Sequence, residues 1–79
     1  MSPTIFRIGP YRFFFFSREE EKKHVHVVSG DGEAKYWLEP EIELAKSHGL
    51  NEKQLNKLLK LVEEKKNEIS AKWDEYFNN

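Results

Sequence analysis

The sequence contains no cysteine, so neither a disulfide nor a thiolate metal site can hold it together. It also lacks a long apolar run, since no stretch approaches the roughly eighteen residues a membrane helix needs. The first residues show no charged segment leading into an apolar run and a small-residue cleavage site, and the chain therefore reads as cytoplasmic. An excess of one charge is missing too: 13 Lys+Arg stand against 14 Asp+Glu, for a formal net charge of -1. That balance argues against the one-sided basic field that drives non-specific nucleic-acid binding. No repeat or linker interrupts the chain, and a run of phenylalanines is its one low-complexity segment.

What remains is 79 residues, enough for one hydrophobic core and too few for two, so residues 1–79 read as a single domain. A core of that size contributes about 3–5 kcal/mol net, and small folds therefore often lean on a metal or a partner. Aromatic residues make up 14% of the chain and cluster instead of scattering, and 34% of residues are charged. The combination fits a folded protein with a solvated helical half.

Residues 1–38 read as a sheet. Thr4 to Ile8 is β-branched and aromatic, and Gly9-Pro10 turns it into a second strand running from Tyr11 to Phe16. Ser17 to Lys23 is a charged loop. His24 to Ser29 and Glu33 to Leu38 form a second hairpin about Gly30-Asp31-Gly32. Whichever two residues form that turn, Val25 and Val27 share a face with Ala34, Tyr36 and Leu38, and His24 and His26 share the other with Lys35 and Trp37. Pro40 opens a short helix over residues 40–48, with Ile42, Leu44 and Ala45 as its apolar side and Gly49 as its stop. Asn51 and Gln54 then form a capping box, and apolar residues at three- and four-residue spacing extend a long helix over residues 51–77. The fold class expected is α+β: a four-stranded antiparallel sheet of two hairpins against a short helix and a long C-terminal one.

Four consecutive phenylalanines cannot share a face. Phe14 and Phe16 lie with Arg12, whereas Tyr11, Phe13 and Phe15 lie opposite. A strand apolar on both faces needs cover on both, and two helices cover one, so the other face is expected to be covered by wrapping of the long helix over a curved sheet within the monomer, or by a second copy or a partner protein, with such an interface favoured. His24 and His26 stand about 6–7 Å apart on one strand face. Two imidazoles there can exchange protons, with Arg12 or Lys35 steadying a phosphate, as in a small metal-independent ribonuclease. They can equally ligate a metal if His48, Glu33 or another carboxylate completes the set. They can also be two polar residues alternating with valines on a half-buried strand. Arg7, Arg12 and Lys35, interleaved with Phe14, Phe16 and Trp37, suggest a binding face, and such an alternation can grip RNA. No cofactor is indicated.

Five blocks, Phe6-Arg7-Ile8-Gly9, Tyr11-Arg12-Phe13-Phe14-Phe15, His24-Val25-His26-Val27, Ala34-Lys35-Tyr36-Trp37-Leu38-Glu39-Pro40 and Trp73-Asp74-Glu75-Tyr76-Phe77, resemble a small bacterial family, the domain of unknown function numbered forty-one sixty. The likeness spans nearly the whole chain. Where the family commonly shows Glu-Pro-Pro or similar before its histidine pair, this sequence has Glu21-Lys22-Lys23. The resemblance implies a gene neighbour encoding a second small protein, in an arrangement like a toxin–antitoxin pair or a two-gene regulatory unit, and some members carry the label of transcriptional regulator. It directs attention to Arg7, Arg12, His24, His26, Lys35 and Trp37. The expectation is a small interaction or regulatory protein, with the ribonuclease and the metal-binding protein as alternatives.

Overall fold

A computed structural model of the chain describes residues 4–15 and 22–77. Five strands, β1 (Thr4–Ile8), β2 (Tyr11–Phe14), β3 (His24–Val28), β4 (Glu33–Trp37) and β5 (Glu43–His48), form one antiparallel sheet in chain order. Two helices follow, α1 (Glu52–Glu64) and α2 (Lys66–Phe77). The fold is α+β as the sequence implies, with one strand more than expected.

The turns follow from their glycines. Gly9 adopts a φ of 57°, the positive value that a two-residue hairpin turn requires at its first central position. In the second hairpin Ser29 N–H donates to the Gly32 carbonyl at 2.9 Å and Val28 faces Glu33, so Gly30-Asp31 is the two-residue loop. Gly32 is glycine for a different reason. A Cβ there would collide with the His48 carbonyl oxygen, and one on Gly49 with the Asp31 carbonyl oxygen. The hairpin tip therefore lies backbone to backbone against the junction of β5 and α1, and Gln54 Nε2 donates to Asp31 Oδ2 at 3.0 Å across that contact.

Residues 40–48 are not a short helix. Glu43–His48 pairs with β4 as a fifth strand, after a turn that holds a cis Glu39–Pro40 peptide. Glu, Leu, Ala and Lys favour helix only by tenths of a kcal/mol, roughly, whereas β4 offers a row of backbone groups that need partners. Ala45 hid the strand period: the register passes from Lys35↔Lys46 to Tyr36↔Leu44, which makes Ala45 the extra residue of a bulge. Exposed Glu43, Lys46 and His48 keep this edge strand charged and polar, a usual guard against edge-to-edge association.

The expected long helix is also divided. Its start is as read, with Gln54 N–H donating to Asn51 Oδ1 at 2.8 Å and Asn51 N–H to Gln54 Oε1 at 2.9 Å. The break falls at Lys65, which ends α1 with φ -101° and ψ 11°. At about 100° per residue, Leu58, Val62, Ile69 and Trp73 make one stripe, and all four are buried. Lys65 falls beside that stripe and is only half-buried. Helical bonding carries through the break, with Lys65 N–H donating to the Leu61 carbonyl and Ile69 N–H to the Lys65 carbonyl, both at 2.9 Å, and the stripe continues beyond it.

The core lies between this stripe and one face of the sheet. Tyr11, Phe13, Phe15, Val25, Val27, Ala34, Tyr36 and Leu38 meet Leu58, Val62, Ile69 and Trp73, in the facing that strand alternation dictates. Tyr36 is buried among them, its hydroxyl donating to the Leu55 carbonyl at 2.8 Å. Burial, reinforced by the neighbouring Tyr11, pushes the Tyr36 phenol from 10.0 up to about 12.

Two predictions follow from this packing. The folded state favours the neutral phenol of Tyr36, so the associated stability is whole below pH 10 and is lost as pH rises to about 12. With about 1.4 kcal/mol per pKa unit, roughly 2–3 kcal/mol is at stake. Urea denaturation across that range should show the loss in wild type and a smaller one in Tyr36→Phe. Gly32→Ala should lower stability by roughly 2–3 kcal/mol through overpacking against His48 and Gly49, read as a fall in the urea midpoint.

Candidate functional site

With the inner face given to the core, the outer face of the sheet is where side chains can act. Among the described residues no helix lies across it, although Trp73 of α2 reaches its His24 end. Registers place Thr4, Phe14, His26, Lys35 and Lys46 in one transverse row across the five strands, and Arg7, Arg12, Val28, Glu33 and His48 in the next. His24, Trp37 and Glu43 form a third row across β3, β4 and β5. The expected members Arg7, Arg12, Phe14, His24, His26, Lys35 and Trp37 are therefore all on one face. Phe16 lies outside the described residues.

The expectation that the outer side of β2 lacks cover is not met at Phe14, which is 7% exposed within the single chain. The His26 ring stacks on it at 5.4 Å and 24°, and the Arg12 guanidinium lies 4.7 Å from its centroid. Arg12 Nε also donates to Thr4 Oγ1 at 2.7 Å, which fixes the guanidinium. Trp37 is treated in the same way, with the ammonium groups of Lys22 and Lys35 at 4.6 and 4.4 Å from its ring centroid. A cation over an aromatic face is held by the ring quadrupole and by burial of its own methylenes. The outer surface is consequently a layer of cations resting on rings.

His24 has a different position from His26. It is 1% exposed, edge-on to Trp37 at 5.4 Å, to Trp73 of α2 at 5.3 Å and to His26 at 5.1 Å. Its Nδ1 is 2.8 Å from the Lys22 carbonyl oxygen. A carbonyl only accepts, so Nδ1 carries the proton. Beside it Lys23 Nζ reaches Asp74 Oδ1 at 3.0 Å and Ser70 Oγ at 2.9 Å, tying the start of β3 to α2. His24 is thus built into the joint between sheet and helix, out of reach of a substrate in solution, while His26 is half-buried on the outer face. The imidazoles are neighbours without being two open ends of a proton relay.

Beyond His26 the face sinks into a depression of about 360 Å³, bordered by Glu33, Lys35, Lys46 and His48. Lys46 was missed as a site residue because its segment reads as helix, and its place opposite Lys35 exists only once β5 pairs. The metal reading called on His48 and Glu33, and both do border this hollow with His26. Among the described residues, however, no three His, Asp or Glu side chains converge closely enough to hold an ion. No helix among them is long and apolar enough to cross a membrane.

A family model described as a domain of unknown function (DUF4160) matches residues 11–74, which takes in β2 through most of α2. No curated protein and no solved structure matches the chain.

The placement of His24 predicts a structural phenotype. His24→Ala removes a ring packed against two tryptophans and should cost roughly 2–4 kcal/mol, seen as a lower urea midpoint and a change in tryptophan fluorescence. His26→Ala, at the half-buried neighbouring position, should cost less than half as much.

Proposed function

The chain belongs to the DUF4160 family, whose function is unknown, and from that premise we propose that it is a small cytoplasmic binding protein, one component of a toxin–antitoxin-like or regulatory two-gene pair, whose outer sheet face holds an acidic partner protein. The observation that carries this reading is a repeated like-charge arrangement. Arg7 stands directly opposite Arg12, and Lys35 directly opposite Lys46. Like charges opposed across neighbouring strands disfavour the sheet by roughly 0.2–1 kcal/mol each. Arg12 and Lys35 also cover Phe14 and Trp37, while Arg7 and Lys46 are exposed, and an acidic surface laid over the face would meet those exposed charges with attraction.

The capped rings bear on the alternatives. Stacking of nucleic-acid bases needs bare aromatic faces, and Phe14 and Trp37 already carry Arg12, Lys22 and Lys35 over theirs. A ribonuclease built on two imidazoles needs both within reach of the phosphodiester, and His24 is enclosed. A second copy is a poor occupant, since the same cations would meet each other.

The candidate partner is the product of the neighbouring gene that the resemblance implies. Calorimetry or gel filtration of the two purified proteins should give a complex whose affinity falls as salt rises. Reversing two exposed cations, Arg7→Glu with Lys46→Glu, should weaken it by about tenfold or more, while Lys57→Glu on exposed α1 should leave it unchanged. Undiminished binding by the double variant would overturn the reading.

A further inference from the structure

The β5 edge of the sheet carries a feature that guarding it does not explain. Leu44 shares the inner face with its cross-strand partner Tyr36, yet it is 42% exposed, so the helical cover runs out at the last strand. Ile42, just before it, is only half-buried. Within the sheet β5 has β4 on one side and nothing on the other, which leaves it backbone donors and acceptors to offer a further strand. Glu43, Lys46 and His48 discourage strands in general, but their order is not neutral toward a second copy of itself.

The bulge decides how two copies can meet. Because Ala45 is the extra residue, Glu43, Lys46 and His48 share one face and one backbone direction, while Leu44 and Ser47 share the other. Two antiparallel copies related by a two-fold axis then have few registers, since a slip of one step turns the faces over. Centred on Glu43, the pairing sets that carboxylate against its own copy, and centred on Lys46 it sets ammonium against ammonium. Centred on Leu44, it places Glu43 of each copy opposite Lys46 of the other, with the two Leu44 side chains meeting at the axis on the inner face. Further out, His48 of one copy comes opposite Glu41 of the other. Opposite charges facing across strands stabilise a sheet and like charges destabilise it, so the Leu44 register stands apart from its neighbours.

We infer that β5 is a self-recognition edge, at which two copies of this chain pair antiparallel about Leu44 and join two five-stranded sheets into one of ten strands. A second copy laid over the outer face brings cations together, whereas one set beside β5 brings a carboxylate to Lys46, the cation that faces Lys35. It also covers the apolar side chain that the helices leave bare. The inference goes beyond the reading of the outer face and stands without it.

The test is sedimentation equilibrium of the full chain over a concentration series. The six residues of β5 bury less than a standard interface of roughly 1,200–2,000 Å², so a monomer–dimer equilibrium with a Kd on the order of tens of micromolar is expected. Leu44→Asp should weaken it by about tenfold or more, and Lys60→Glu on exposed α1 should leave it unchanged. The charge order supplies a stricter check that does not depend on Leu44. Glu43→Lys alone and Lys46→Glu alone should each dissociate the dimer, and the double variant, which exchanges the two charges, should restore it. Mixing the two single variants should give a heterodimer for the same reason. A monomer at every concentration, a dimer indifferent to Leu44→Asp, or a double variant no better than the single ones overturns the inference. Leu44→Asp keeps every cation of the outer face, so its binding to the acidic partner separates failure of this inference from failure of the docking reading.

Discussion

A β-strand sends successive side chains to opposite faces, and in β2 that rule meets a sequence aromatic at nearly every position. Phe13 and Phe15 turn inward and complete the core with Trp73 and Phe77. Phe14 must then turn outward, onto a face where the described residues place no helix. Its cover comes from within the sheet, from the His26 ring on β3 and the Arg12 guanidinium two residues back on its own strand. Once one ring is sheltered in this way, basic side chains become part of the packing, and Trp37 beneath Lys22 and Lys35 repeats the solution two strands further on. The outer face is therefore both the second half of the hydrophobic economy of the strand and a surface rich in cations on a chain whose net charge is -1.

Much of this was legible in the sequence wherever the signal was local. The hairpin about Gly30-Asp31-Gly32, the facing of Val25, Val27, Ala34, Tyr36 and Leu38, and the Asn51–Gln54 capping box each depend on residues near one another in the chain and are present as read, with Gly30-Asp31 the loop of the two left open. Residues 40–48 do not, because good helix formers disguised a strand whose reason for existing is the unpaired edge of β4. The division at Lys65 was half visible: the lysines there clearly interrupt the apolar stripe, but an interrupted stripe does not reveal whether the helix bends or carries on. The shelter over Phe14 was hidden for the same reason as β5. It joins side chains from two strands separated by a long loop, and counting helices against faces overlooks a cation that can act as a lid.

The candidate site shows the same division. His26, Lys35 and Trp37 were recognisable as one face from alternation and the hairpin turn, and Phe14 as facing with Arg12, but that the two sets share a face follows only from the pairing of β2 with β3. The separate fates of His24 and His26 were not recognisable. They share a strand, a face and a side-chain type, but α2 returns to bring Trp73 against the first and leaves the second alone. Lys23, held by Asp74 and Ser70, marks where that return is anchored.

The opposed pairs Arg7–Arg12 and Lys35–Lys46 give the outer face its physical meaning. A fold of 79 residues has only a few kcal/mol of net stability, roughly, to set against such repulsion. The restraints that offset it lie elsewhere: the hairpin tip locked at Gly32 and Gly49, the Gln54–Asp31 bond above it, the Tyr36 hydroxyl on Leu55, and the Lys23 anchor on α2. All of these sit on the helical side of the sheet or at its ends. A sheet secured from one side can tolerate like charges set opposite one another on the other.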